Sequence, residues 1–106
     1  MALDSDTLPA APQLTGRQRK ALRGMAHALE PLVHVGAAGV TDAVLEAVDA
    51  ALRGHELIKV RLHAPASKHD DADTLAAGTG SALCGLIGHV VILYRPRLEK
   101  PKIVVG

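Results

Sequence analysis

Aromatic side chains are almost missing from this chain, which has no Phe, no Trp and a single Tyr, Tyr94, in 106 residues. That scarcity removes the ring platforms on which RRM and OB-type modules stack unpaired bases, and it leaves any core to aliphatic residues. Cysteine is nearly absent too. Cys84 has no partner for an internal disulfide, and its place in an apolar run marks it as a small buried hydrophobe rather than a reactive thiol. No stretch approaches the roughly 18 apolar residues of a membrane span, and the acidic start, with Asp4 and Asp6, lacks the basic region of a secretory signal. The expectation is a soluble cytoplasmic protein with no membrane partner.

Net charge is small as well, at +1, but it is unevenly spread. The first 13 residues hold two acids and no base, leaving 12 bases against 9 acids in the rest. Arg17, Arg19, Lys20 and Arg23 crowd one segment, Lys59 and Arg61 share another, and Arg95, Arg97, Lys100 and Lys102 follow near the end. Acids gather at Asp42, Glu46, Asp49 and Glu56 and at Asp70, Asp71 and Asp73. Such a pattern predicts a surface with a basic side. An apolar content of 48% predicts a folded globule, and the length accommodates one domain rather than a catalytic domain with a second ligand-binding one.

Residues 1–13 contain two prolines and no apolar periodicity, so they read as a disordered tail preceding a single domain over 14–106. Thr15 followed by Gln18 is a capping box, and Leu22, Met25, Ala26 and Leu29 fall on one side of the helix it opens, which Pro31 ends. At about 100° per residue, Arg17, Lys20, Arg23 and His27 lie on the opposite side with Arg19 at the flank. Pro31–Val35 reads as a strand. A helix capped by Thr41 buries Val44, Leu45, Val48 and Leu52 and ends at Gly54. In Glu56–His63 the alternation puts Ile58, Val60 and Leu62 inward and Lys59, Arg61 and His63 outward, which completes a βαβ unit with parallel strands. Asp70 or Asp71 caps a third helix, weakened by Gly78 and stopped at Gly80. Ala82–Ile87 and Val90–Tyr94 then form a hairpin about Gly88-His89, while Lys102–Val105 either adds a short edge strand or trails. The order is αβαβαββ, an α/β fold.

Between the first strand and the second helix lies Val35-Gly36-Ala37-Ala38-Gly39-Val40-Thr41-Asp42, a GxxG turn. Two glycines around two small residues let the backbone turn tightly and approach a ligand, and the following helix aims N–H groups at the same point. Such a turn suits a phosphate. A GxxG clamp opening a helix is one way in which proteins hold single-stranded RNA.

The runs LTGRQRKALRGMAHALEPLVHVGAAGVTD, ELIKVRL and GTGSALCGLIGHVVILYRP together resemble the CRM domain, named for chloroplast RNA splicing and ribosome maturation, in its stand-alone bacterial YhbY-like form, over about residues 14–102. The resemblance implies a four-stranded mixed sheet with helices, similar to the C-terminal domain of translation initiation factor three. It also implies RNA binding without catalysis, with precursor ribosomal RNA of the large subunit and the pre-ribosomal particle as partners, no DNA and no cofactor. Carried onto this chain, the RNA-binding set is Arg17, Arg19, Lys20 and Arg23, the loop Gly36, Ala37, Ala38 and Gly39, and the strand bases Lys59 and Arg61. Family members usually carry a lysine inside the loop, where this chain has two alanines. The loop is therefore expected to act through backbone approach, with low sequence specificity and steep salt dependence overall.

Other readings of the same residues are weaker. His63, His69, Asp70, Asp71 and Asp73 match no metal-ligand spacing and read as a polar loop and an acidic helix start, so no metal is expected. Gly78-Thr79-Gly80 follows a helix rather than a strand, unlike a dinucleotide fingerprint. His89 fits a turn-fixing role better than that of a general base. The alternative from another functional class is a protein interaction module that docks on a ribosomal protein or assembly factor through its acidic second helix.

Overall fold

The computed structural model describes residues 10–97, 101 and 103. Residues 1–9 of the expected tail, and positions 102, 104 and 105 of the expected edge strand, lie outside the described residues. Helix α1 spans Gly16–Ala26, strand β1 Val33–Val35, helix α2 Asp42–His55, strand β2 Leu57–Leu62, helix α3 Lys68–Thr79, and strands β3 and β4 Ala82–Ile87 and Val90–Tyr94. The sheet order is β1-β2-β4-β3, with β1 parallel to β2 and the remaining pairs antiparallel. This is the mixed four-stranded sheet that the βαβ pattern and the Gly88-His89 hairpin predict.

Helices cover both faces of the sheet, which is why β4 is apolar on both sides. On one face α2 and α3 bury Val48, Leu52, Ala72 and Leu75 against Val35, Ile58, Val60, Leu62, Val91 and Leu93. On the other, Leu22 and Ala26 of α1 pack on Leu57, Cys84, Ile92 and Tyr94. Each fully buried aliphatic side chain contributes about 1.5–3 kcal/mol. The α1 face of β2 starts with buried Leu57 and turns polar at Lys59 and Arg61, so one strand runs from beneath a helix to an open surface.

Three helix ends differ from the sequence reading. Helix α1 stops at Ala26, well before Pro31, and Lys59 Nζ donates to the carbonyls of His27 at 3.3 Å and Leu29 at 3.0 Å in the segment that follows; Pro31 has no N–H with which a longer helix could have satisfied the first of them. Met25 and Leu29 are consequently exposed. Helix α2 passes through Gly54 to His55 and ends at Glu56, whose φ of 62° is unusual for a side-chain-bearing residue. Glu56 is held there by three bonds: its N–H donates to Leu52 O, its carbonyl accepts from Arg95 N, and its carboxylate accepts from Arg97 N. Helix α3 is capped by Ser67, leaving Asp70 and Asp71 in the first turn, where they oppose the positive end of the dipole. It continues through Gly78, where a β-carbon would sit 2.8 Å from Leu45, so the glycine lets α2 and α3 approach.

Candidate nucleic-acid interface

Because β1 and β2 are parallel, the segments leaving their C-terminal ends meet at one edge of the sheet. Gly36–Gly39 and His63–Ala66 form facing walls of an open groove of about 240 Å3, to which Asp71 of α3 also contributes. The first wall is a β-turn in which Gly39 N donates to Gly36 O at 3.0 Å. Thr41 caps α2 just beyond it through Val44 N at 3.2 Å. The second wall is fixed to β1 by His63 N donating to Val35 O at 2.9 Å, and it includes Ala64 at a φ of 53°.

The two glycines of the turn are not equivalent. Gly39 has a φ of +76°, a region that penalises any β-carbon, whereas Gly36 lies outside the positive-φ region and has open space around a β-carbon position. The turn therefore requires glycine only at its second end. At the first end, the missing side chain keeps the groove accessible.

Strand alternation puts His34, Lys59 and Arg61 on the α1 side of the sheet, because Val33, Val35, Val60 and Leu62 face α2 and α3. Arg61 is exposed and registers against His34. Arg17, Arg19 and Lys20 are exposed on α1. Asp42, Glu46, Asp70 and Asp73 belong to helices on the opposite face, so charge is divided across the sheet.

Two of the residues expected to meet RNA are also tied to backbone carbonyls within the fold. Arg23 is partly buried, and its Nη1 donates to Cys84 O at 2.8 Å. Its stem crosses β3 where Gly85 makes room, since a β-carbon at Gly85 would lie 2.7 Å from Arg23 Cδ. Lys59 is half-buried on the carbonyls that end α1. Periodicity puts both outward, because it marks a face without showing what crosses it. The cationic surface thus comes down to Arg17, Arg19, Lys20 and Arg61, with the guanidinium of Arg23 turned inward.

The later basic residues are also engaged. Arg95 is buried and bonds Asp49 Oδ1 at 2.8 Å and Thr79 O at 2.7 Å. Arg97 Nη2 donates to Gly54 O at 2.9 Å. Asp49 and Glu56 are thereby drawn inside, which leaves Asp42 and Glu46 as the exposed acids of α2. Among the described residues no group of three or more His, Cys, Asp or Glu could hold a metal ion.

Cys84 is buried, and burial pushes its thiol up to about 11, against the opposing pull of Arg19 and Arg23. A protonated, covered thiol is a poor nucleophile. Iodoacetamide at mildly alkaline pH should modify it slowly in the native protein and quickly after unfolding; equal rates would contradict this burial.

Sequence reasoning missed one pair altogether. His34 and His63 are exposed and lie edge to edge in nearly parallel planes, with ring centroids 5.1 Å apart, an interplanar angle of 22°, and Nδ1 of the first 2.8 Å from Nε2 of the second. Parallel alignment of the two strands would have shown them as near neighbours on one face.

A sequence model of the CRS1/YhbY (CRM) domain matches residues 14–95. The Bacillus subtilis protein named "Probable RNA-binding protein YqeI" is 38% identical over 92 residues, covering 85% of this chain and 96% of its own length. A Haemophilus influenzae protein named "RNA-binding protein" is 38% identical over 88 residues, covering 81% and 89%. The solution structure of a hypothetical protein from Staphylococcus aureus superposes with a TM-score of 0.78 at 32% identity, over 89% of this chain and all of that one.

Proposed function

Since the chain belongs to the CRS1/YhbY (CRM) family, we propose that it binds RNA, without catalysing a reaction, through the GxxG groove and the cations beside it. The observation that carries this reading is the meeting of Gly36–Gly39 with His63–Ala66 at the C-terminal ends of two parallel strands, next to exposed Arg61. A phosphate in that groove would meet backbone amides and the positive end of α2, with Arg61, Arg17, Arg19 and Lys20 neutralising its neighbours. Amides and cations read the shape of an RNA rather than its base sequence, which fits a structured ribosomal RNA. The target in this reading is the large-subunit precursor particle in the cytoplasm.

Salt dependence tests the electrostatic part. Replacing Arg17, Arg19 and Lys20 together with alanine should leave the melting transition in place, because all three are exposed on α1. It should weaken binding to ribosomal RNA and flatten the plot of log affinity against log salt by about 2–3, near 0.7–0.9 for each phosphate no longer neutralised. Arg23 is left intact because its replacement would also release β3. An unchanged affinity and slope would place the RNA elsewhere on the protein.

A further inference from the structure

We infer that the hydrogen-bonded, edge-to-edge His34–His63 pair is a nucleotide platform, taking one unpaired base of an RNA strand whose phosphate lies in the adjoining GxxG groove. The inference rests on the RNA-binding reading and deepens it, because it specifies an unstacked, single-stranded element at the groove. Tyr94, the only large aromatic residue, is buried in the core and cannot offer a ring. The two imidazoles do, since both are exposed.

Their position fits the task. His34 is two residues before Gly36, His63 lines the groove itself, and the main-chain bond from His63 N to Val35 O locks the two segments together. The rings also hold one another, through the 2.8 Å approach of Nδ1 of His34 to Nε2 of His63. That hydrogen bond places a donor on one ring opposite an acceptor on the other, so the pair is ordered before any ligand arrives and less freedom is lost on binding. Arg61, in register with His34, supplies a cation for the phosphate on one side of the base. Imidazole faces are among those on which unstacked bases rest in RNA complexes, and such stacking tolerates any base. The platform thus adds affinity without adding sequence preference.

The test uses the full chain and a short unstructured oligoribonucleotide carrying 2-aminopurine, whose fluorescence falls when the base stacks. The wild type should bind it and quench it. The double replacement His34→Ala with His63→Ala should keep the melting transition, lose most of the quenching and bind roughly tenfold or more weakly. Replacing both with Phe should restore quenching, whereas replacing both with Lys should add positive charge without quenching. Quenching and affinity retained in the alanine and lysine variants would overturn the platform. Wild-type binding with unchanged fluorescence would overturn it too while leaving the RNA reading intact, and absence of wild-type binding to single-stranded, duplex and ribosomal RNA would overturn both.

Discussion

Replacing Arg95 with alanine should cost the fold about 3 kcal/mol and lower its melting temperature by about 12–24 °C, although the residue belongs to the basic tail of the last strand. Its guanidinium is buried and fills two demands together, the carboxylate of Asp49 at 2.8 Å and the carbonyl of Thr79 at 2.7 Å near the end of α3. Removing it leaves the buried Thr79 carbonyl without its partner and takes the closer of two cations from the mostly buried Asp49 carboxylate, and that desolvation is the larger part of the loss. Asp49 keeps a second partner in Arg53 at 3.4 Å, so the effect falls at the lower end of the range for a broken buried pair. Lysine should not rescue the variant, since a single ammonium cannot reproduce a fork that spans Asp49 Oδ1, Asp49 O and Thr79 O. Arg97→Ala is the matched control. Its main-chain N–H still meets Glu56 and only an exposed bond to Gly54 is removed, so its stability should change by no more than about 0.5 kcal/mol. Thermal melts of the three variants check this, and an Arg95→Ala protein as stable as wild type would mean that the buried pair contributes little.

The frame of the fold is plain in the sequence, because its signals are local. The alternation at Ile58, Val60 and Leu62, the Thr41 cap and the Gly88-His89 turn each act within a few residues, and each lies where its pattern places it. What the sequence conceals is the use of cations as ties to distant carbonyls. Arg23 reaches Cys84, 61 residues away, and Lys59 reaches Leu29, 30 residues back; a carbonyl acceptor leaves no mark on residue identity. Periodicity therefore overestimates the free basic surface while placing its exposed members on the correct side. Glu56 is hidden for the same reason, since its positive-φ backbone is held by partners distant in sequence, Arg95 N at its carbonyl and Arg97 N at its carboxylate. The paired histidines depend on strand register, which a single strand cannot reveal.

The GxxG turn is where the structure most changes the reading, because its two glycines now predict different outcomes. Gly39→Asp should strain the turn by about 1–2 kcal/mol, since φ at that position is +76°, and any loss of binding would be mixed with damage to the loop. Gly36→Asp should leave the fold alone, having open space around a β-carbon and no positive φ, yet it sets a carboxylate at the wall of the groove where a phosphate is to lie. Loss of one charged hydrogen-bonding site corresponds to about 10- to 150-fold in affinity, with like-charge repulsion adding to it. Ala37→Ser, by contrast, should bind nearly as the wild type does. The decisive measurement is the equilibrium affinity of Gly36→Asp for precursor ribosomal RNA beside its melting temperature: the account predicts affinity down at least tenfold with the melt unchanged, and wild-type affinity in a folded Gly36→Asp protein would contradict it.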